Sequence, residues 1–483
     1  MSGPLLLRGG RPGVGASPAD IAIRDGHIVA IGEAAGAQGE SISLDGRIVL
    51  PGLWDRHVHA AQWALTASRI DLRAARSAQD AAHRLGAVPV TASVVRGIGF
   101  ADATWPDRPH KSLLEAAAPG RAILAQSNDL HTAWFSPAAL ALIGLDHPTG
   151  VLRDGESYLA VAALPQPSAA DADRSVLAAM AAAAARGVTG VVDFEYDDNV
   201  AAWARRAGSV ALPVRVEASI PAPLLDAAIG RGLRAGSDID CTAGRAVVGP
   251  VKAFGDGSLN TRTAWCYNPY TSGEAGHAGG PDATPAELRR LVGTAAAHGL
   301  TCAIHAIGDR AMSAALDAFE AAAAPGRIEH AQLVAIDDLP RLWRPGLVLG
   351  VQPAHQPDDR DVADRFWAGA TDRAYAYRTM LTAGATIEFG SDAPVAPLDP
   401  WDGIAAAVHR SDDHRPPWHP EQALRLDVAL AASSRGRTGI AVGDVADLAI
   451  LDVETLGSTP TALRATPVWA TLLAGSFTHR TPA

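Results

Sequence analysis

Six side chains in this sequence could together make a metal site: His57, His59, Lys252, His305, His330 and Asp392. Imidazole and carboxylate groups together suit a divalent transition metal. Such a metal lowers the pKa of bound water toward about 7 and polarises a carbonyl, so the expected chemistry is metal-assisted hydrolysis. The six are spread over most of the chain, each toward the end of a run that reads as a β-strand. Only an architecture that gathers strand ends at one face can bring them together.

His57 and His59 flank Val58, and in an extended strand alternate side chains share a face, so both imidazoles point to the same side. His305 lies in TCAIHAIG and His330 in RIEHAQL, runs that are otherwise largely apolar. One buried histidine is commonly a satisfied core residue; two on adjacent strands, facing the same end as a His-x-His pair, point to metal. Asp392 in FGSDAP can be read as a turn aspartate, because Asp-Ala-Pro favours a turn. In a closed barrel, however, its strand lies beside the first, where a carboxylate could ligate metal and exchange a proton with water. Lys252 is the least obvious member, since an ammonium does not ligate metal and is penalised when buried beside one. Carboxylation by CO2 would give an anionic carbamate able to bridge two metals; unmodified, Lys252 reads as a substrate anchor beside a single metal.

The elements that must position these groups are legible as eight buried-strand runs: 48–59, 188–194, 214–220, 247–255, 301–308, 327–333, 347–355 and 385–394. Helical stretches such as 285–299 and 310–323 lie between them, with Pro285 suited to a first turn. Strand and helix in alternation predict an α/β fold, a (β/α)8 TIM barrel over residues 51–439. Residues 60–187, after the first strand, are too many for one crossover and read as a subdomain inserted at the active-site face. Short β-like runs in 1–50 and 440–483 predict a small β-sandwich built from both termini.

The chain of 483 residues is 48% hydrophobic and 19% charged, which excludes disorder. A net charge of −11 without a Lys/Arg-rich run argues against nucleic acid or an anionic membrane as partner. A small-molecule substrate, neutral or cationic, is expected. The three cysteines lack C-x-x-C spacing, so no disulfide framework or cysteine zinc site is expected, and the compartment reads as reducing. No signal-like or membrane-spanning run is evident, and the location expected is cytoplasmic.

Taken together, PGLWDRHVH, VKAFGDGSLNTRTA, HAIGDRAM, RIEHAQ, VQPAHQPDD, FGSDAPV and GDVADLAILD resemble blocks of the amidohydrolase superfamily, in the branch that includes N-substituted formamide deformylase. The resemblance runs over nearly the whole chain. It implies that His57 and His59 bind a more buried metal, that Lys252 bridges as a carbamate, that His305 and His330 bind a second metal, and that Asp392 completes the site. Zinc is the metal expected, with manganese, iron, cobalt or nickel also accommodated by such ligands. NDLHTAW in the insertion is similar to a further block and implies that His131 reaches the pocket to stabilise an oxyanion, although Phe135-Ser136-Pro137 departs from the branch's usual asparagine. Asp256, Arg262 and His355 stand in the same blocks as candidate substrate contacts, with loop anchoring as the alternative. Trp105, Trp134, Trp265 and Trp367 lie near segments expected to wall the pocket, and would suit an apolar or aromatic substrate group.

The reaction expected is hydrolysis of a C–N bond in an amide, N-acyl or N-formyl compound, with Asp392 shuttling the proton. Ring deamination or lactone or ester cleavage on the same scaffold is the alternative, and a non-catalytic metal-binding scaffold is a third reading. Enzymes of this kind often form homodimers.

Overall fold

A computed structural model describes residues 5–32, 40–66, 68–89 and 93–482; the first residues of the N-terminal β-like run lie outside them. Eight parallel strands carry the fold: β1 (Leu53–Val58), β2 (Val188–Asp193), β3 (Arg215–Pro221), β4 (Ala246–Phe254), β5 (Cys302–Ala306), β6 (Gly326–His330), β7 (Leu347–Val351) and β8 (Thr386–Phe389). Each pairs with its sequence neighbours. The ring closes between β8 and β1 through a parallel bridge, Val58 to Ala393, and through Asp392 N–H donating to His57 O at 2.7 Å. The fold is the expected (β/α)8 barrel.

Each of the eight expected runs overlaps a barrel strand, with one correction. The run 48–59 is two strands in two sheets: Val49–Pro51 pairs with Leu448–Leu451 in a terminal sheet, and the barrel strand begins only at Leu53. Gly52 separates them because the chain passes so close to β2 that a Cβ there would overlap the Thr189 side chain. Several strands are also shorter than their apolar runs. Their ends turn out of extended geometry at candidate site residues, as at His330 and Asp392 with φ of 73° and 57°.

Outside the barrel, Leu5–Gly10, Ala19–Arg24, His27–Ile31 and Glu40–Ser43 form one sheet. Val49–Pro51, Leu448–Leu451, Val468–Leu473 and Ser476–Arg480 form another. Leu7, Ile21 and Ile23 of the first pack with Leu448, Ile450 and Leu472 of the second in one apolar cluster, the core of a sandwich. Within 60–187, a five-stranded mixed sheet spans Ile70 to Arg153. After a helix at Asp154–Ala163, the helix Ala169–Ala184 buries Val176 and Met180 in the barrel's own core and so occupies the place of a crossover helix.

Barrel helices form where amphipathic spacing and caps agree. In Pro285–Ala297, Thr284 and Glu287 make a reciprocal capping box, Pro285 opens the first turn, and Leu288 and Val292 face the strands. The barrel interior departs from the usual aliphatic layers. Arg56 on β1 donates to Glu388 on β8 at 2.7 Å and to Glu217 on β3 at 2.8 Å. Arg327 on β6 donates to Glu388 at 2.5 Å and to Glu329 at 2.7 Å. Gly350 on β7 leaves the room, since a Cβ there would meet both Glu329 and Arg327. Among the described residues, no helix is long and apolar enough to cross a membrane.

Candidate metal centre

The carboxyl ends of the strands converge on one cavity of about 200 Å3, whose wall includes His57, His59, Lys252, His305, His330 and Asp392. Donor atoms of His57, His330 and Asp392 all lie within 4.8 Å of one another. His57 Nε2 and His59 Nε2 stand 3.4 and 3.3 Å from Asp392 Oδ1. Lys252 Nζ is 3.4 Å from His57 Nε2 and lies over the rings of Phe194 and Phe254. The His305 and His330 rings are 4.4 Å apart. Buried donors gathered this closely are what a metal centre requires, and the set fits a divalent ion.

Local structure explains how each group is aimed. The alternation of β1 sends His57 and His59 to one side, their ring centres 5.6 Å apart. Asp55 accepts the backbone N–H of His57 at 3.1 Å and of Ser391 at 2.8 Å, fixing the first strand to the loop that carries Asp392. Glu329 accepts from His57 Nδ1 at 2.8 Å, which leaves Nε2 free to face the cluster. His305 Nε2 donates to Gly257 O at 3.1 Å and leaves Nδ1 free. His59 Nδ1 is buried without a hydrogen-bond partner among the described residues.

Electrostatics put these groups in the forms metal needs. Burial, seconded by the Lys252 charge, pulls His57 down to about 4, and burial likewise holds His305 and His330 well below the ordinary histidine range. Burial alone would raise Asp392, but the surrounding imidazoles outweigh it and keep the carboxylate ionised. Lys252 is drawn down by burial to about 8. Glu329 is held at about 2, because Arg327 and the His57 hydrogen bond overcome its burial.

The other expected site residues divide. His131 lines the cavity; its Nδ1 meets Asp154 Oδ1 at 2.8 Å, and although burial works against it, that hydrogen bond and nearby carboxylates raise its pKa. His355 also lines the cavity, its Nε2 donating to Ser391 O at 3.1 Å. Asp256 does not line this cavity. Its carboxylate accepts from the backbone N–H of Trp265, Ile307 and Gly308 at 2.8 to 3.0 Å, which is the loop-anchoring alternative. Arg262 is also outside the wall, stacked 5.3 Å from the Phe366 ring in a left-handed conformation with φ of 63°. The aromatic surface comes from Tyr158, Tyr196 and Phe254, not from the tryptophans. Trp134 and Trp367 are buried in the insertion and barrel cores.

Glu329, Tyr158, Tyr196 and Asp154 also belong to the site, though residue type and spacing did not single them out. A charged residue inside the apolar run before His330 was a usable signal for Glu329. The tyrosines and Asp154 lie where only the fold shows which way they face.

Comparison with known proteins agrees with this geometry. An amidohydrolase family model matches residues 40–479. The chain is 27% identical to amidohydrolase YtcJ of Bacillus subtilis (strain 168) over 492 aligned positions, covering 91% of this chain and 90% of that protein. It is 28% identical to N-substituted formamide deformylase of Arthrobacter pascens over 218 positions, 41% of this chain and 40% of the relative. A crystal structure of an uncharacterized metal-dependent hydrolase from Pyrococcus horikoshii OT3 superposes with a TM-score of 0.80 at 26% identity, covering 95% of this chain and 99% of that one.

Proposed function

The chain belongs to the amidohydrolase family and is a metal-dependent hydrolase, and we propose that it cleaves the C–N bond of a small amide, with N-acyl and N-formyl amines as the substrate class. The observation that carries the reading is the convergence of His57, His330 and Asp392 donor atoms within 4.8 Å, with His59 and Lys252 at their edge. His57 and His59 would hold one divalent ion and His305 and His330 a second, with Asp392 completing the set; zinc suits these donors. Partial similarity to a formamide deformylase supports an amide over an ester.

Lys252 joins the set as a carbamate. The ammonium first loses one proton; the neutral Nζ then adds to CO2, forming the N–C bond as one C–O π pair moves onto oxygen, and a second nitrogen proton leaves, so that an anion replaces an ammonium that would repel metal. Bound metal supplies Lewis acidity, acidifying water and polarising the scissile carbonyl. Asp392, ionised and central, takes the proton of the attacking water and returns it to the leaving nitrogen. His131, held by Asp154, faces the cavity where the carbonyl oxygen gains charge.

The test is metal analysis together with turnover of an N-formyl and N-acyl amine panel. Near-stoichiometric divalent metal and release of free amine are expected, with both lost in His57→Ala. Protein that retains metal and activity after that substitution, or that releases no amine from any member, overturns the reading. For Lys252, a carbamate carbon signal from 13C-bicarbonate should be present in the native chain and absent from Lys252→Ala.

A further inference from the structure

A second and much wider chamber, of about 1070 Å3, lies against the metal centre. His131, Tyr158, Tyr196, Lys252 and Phe254 line both spaces, so the two meet at the reacting atoms. Tyr196 stands in the dividing wall, its ring stacked 5.1 Å from His59, 5.7 Å from Tyr158 and 5.8 Å from Phe254. The wide chamber is built from the segments after β2, β3 and β4 together with the start of helix Pro285–Ala297. Its wall is apolar along Phe194, Leu225, Phe254, Leu288 and Leu291. The narrow space carries the amides Gln126, Asn128 and Gln332 and the carboxylates Asp129, Asp358 and Asp359.

Charge on the wide chamber is one-sided. Among the described residues its lysines and arginines are Arg290 and Lys252, and as a carbamate Lys252 is an anion, which leaves Arg290 and the raised His131 against the carboxylates. Most of its carboxylates are committed: Asp154 to His131, Glu195 to the amides of residues 61 and 62, Asp198 to Arg231, Asp256 to backbone amides and Glu287 to the Thr284 cap. Asp226 and Asp282 make no side-chain hydrogen bond or ion pair among the described residues. Both lie exposed on the chamber wall, where a cation can reach them.

We infer that the wide chamber receives the nitrogen-side arm of the substrate, and that this arm is an extended apolar group ending in a cation that pairs with Asp226 and Asp282. The inference rests on the C–N hydrolase reading. The small polar space then takes a short acyl group such as formyl or acetyl, and the scissile bond lies at the Tyr196 wall. An apolar pocket with a few placed polar groups, continuous with reactive residues, is the usual form of a specificity site.

The experiment uses one metal-loaded enzyme and N-formyl amines whose nitrogen substituent is methyl, phenethyl, 4-(aminomethyl)phenethyl or 4-carboxyphenethyl. The aminomethyl compound should have the highest kcat/KM and the carboxylate the lowest. Asp226→Asn and Asp282→Asn should each lower kcat/KM for the cationic member about fivefold, the upper end for an exposed charge pair, and leave the phenethyl member within twofold. Calorimetry with the free amines keeps the two readings separable. If no formamide is cleaved but the diamine still binds more tightly than phenethylamine, and loses that preference in the variants, the chemistry falls and the chamber assignment stands. Equal binding of the two amines, tighter binding of the amino acid, or equal loss on all substrates in the variants overturns the chamber assignment.

Discussion

At the scale of single residues, the centre depends on which atom each donor presents. A neutral imidazole with one nitrogen hydrogen-bonded to a carboxylate has a fixed tautomer and a fixed direction, and Glu329 does this for His57. Glu329→Gln should weaken metal binding about 10- to 100-fold, read as faster loss of metal to a chelator, while far-UV circular dichroism stays native. Unchanged chelator kinetics would mean that the 2.8 Å contact does not position His57. The six metal-centre candidates were legible from residue type and strand position alone. Glu329 stood out only as a charge in an apolar run, and its role was not legible, because its partner lies 272 positions away and is set by how β6 faces β1 across the barrel.

At the scale of elements, the strands deliver two things at once: ligands at their carboxyl ends and a charged plug inside the ring. Burial by itself would raise the Glu388 carboxyl, yet Arg56 and Arg327 outweigh it and hold the group at about 2, against an ordinary value of 4.5. A depressed folded-state pKa contributes stability that is complete above the unfolded value and is lost as pH falls from there through the folded value. Urea midpoints should therefore be level with respect to this group above about pH 4.5 and decline between there and about pH 2. Glu388→Gln should lower stability at pH 7 by about 3–5 kcal/mol, because it leaves two buried arginines underpaired, and should make the acid decline shallower. An acid limb identical to that of the native chain would sink this account. Alternation predicted the strands but could not reveal that Arg56, Glu217, Arg327 and Glu388 share the interior, since four different strands contribute them.

At the scale of the molecule, bound metal would hold together strands drawn from both ends of the chain, since His57 and Asp392 are joined at the closing seam of the barrel. A ligand that binds only the folded state stabilises it by about 4 kcal/mol at a thousand times its Kd. Chelation should accordingly lower Tm by several degrees, and stoichiometric zinc should restore it; equal Tm values for stripped and reloaded protein would contradict a ligand set at the seam.

The order of strands and helices, the barrel class and the types of group available for metal were determined by the sequence itself. Each depends on local periodicity or on residue identity, and neither needs a distant partner. Which side chains spend themselves on structure was decided by the tertiary fold. Asp256 went to three backbone amides, Arg262 to the Phe366 ring, and Tyr196 to the wall between two chambers. Hydrogen-bond partners, cavity walls and left-handed turns such as those at His330 and Asp392 arise from packing between segments far apart in the chain, and no local pattern encodes them.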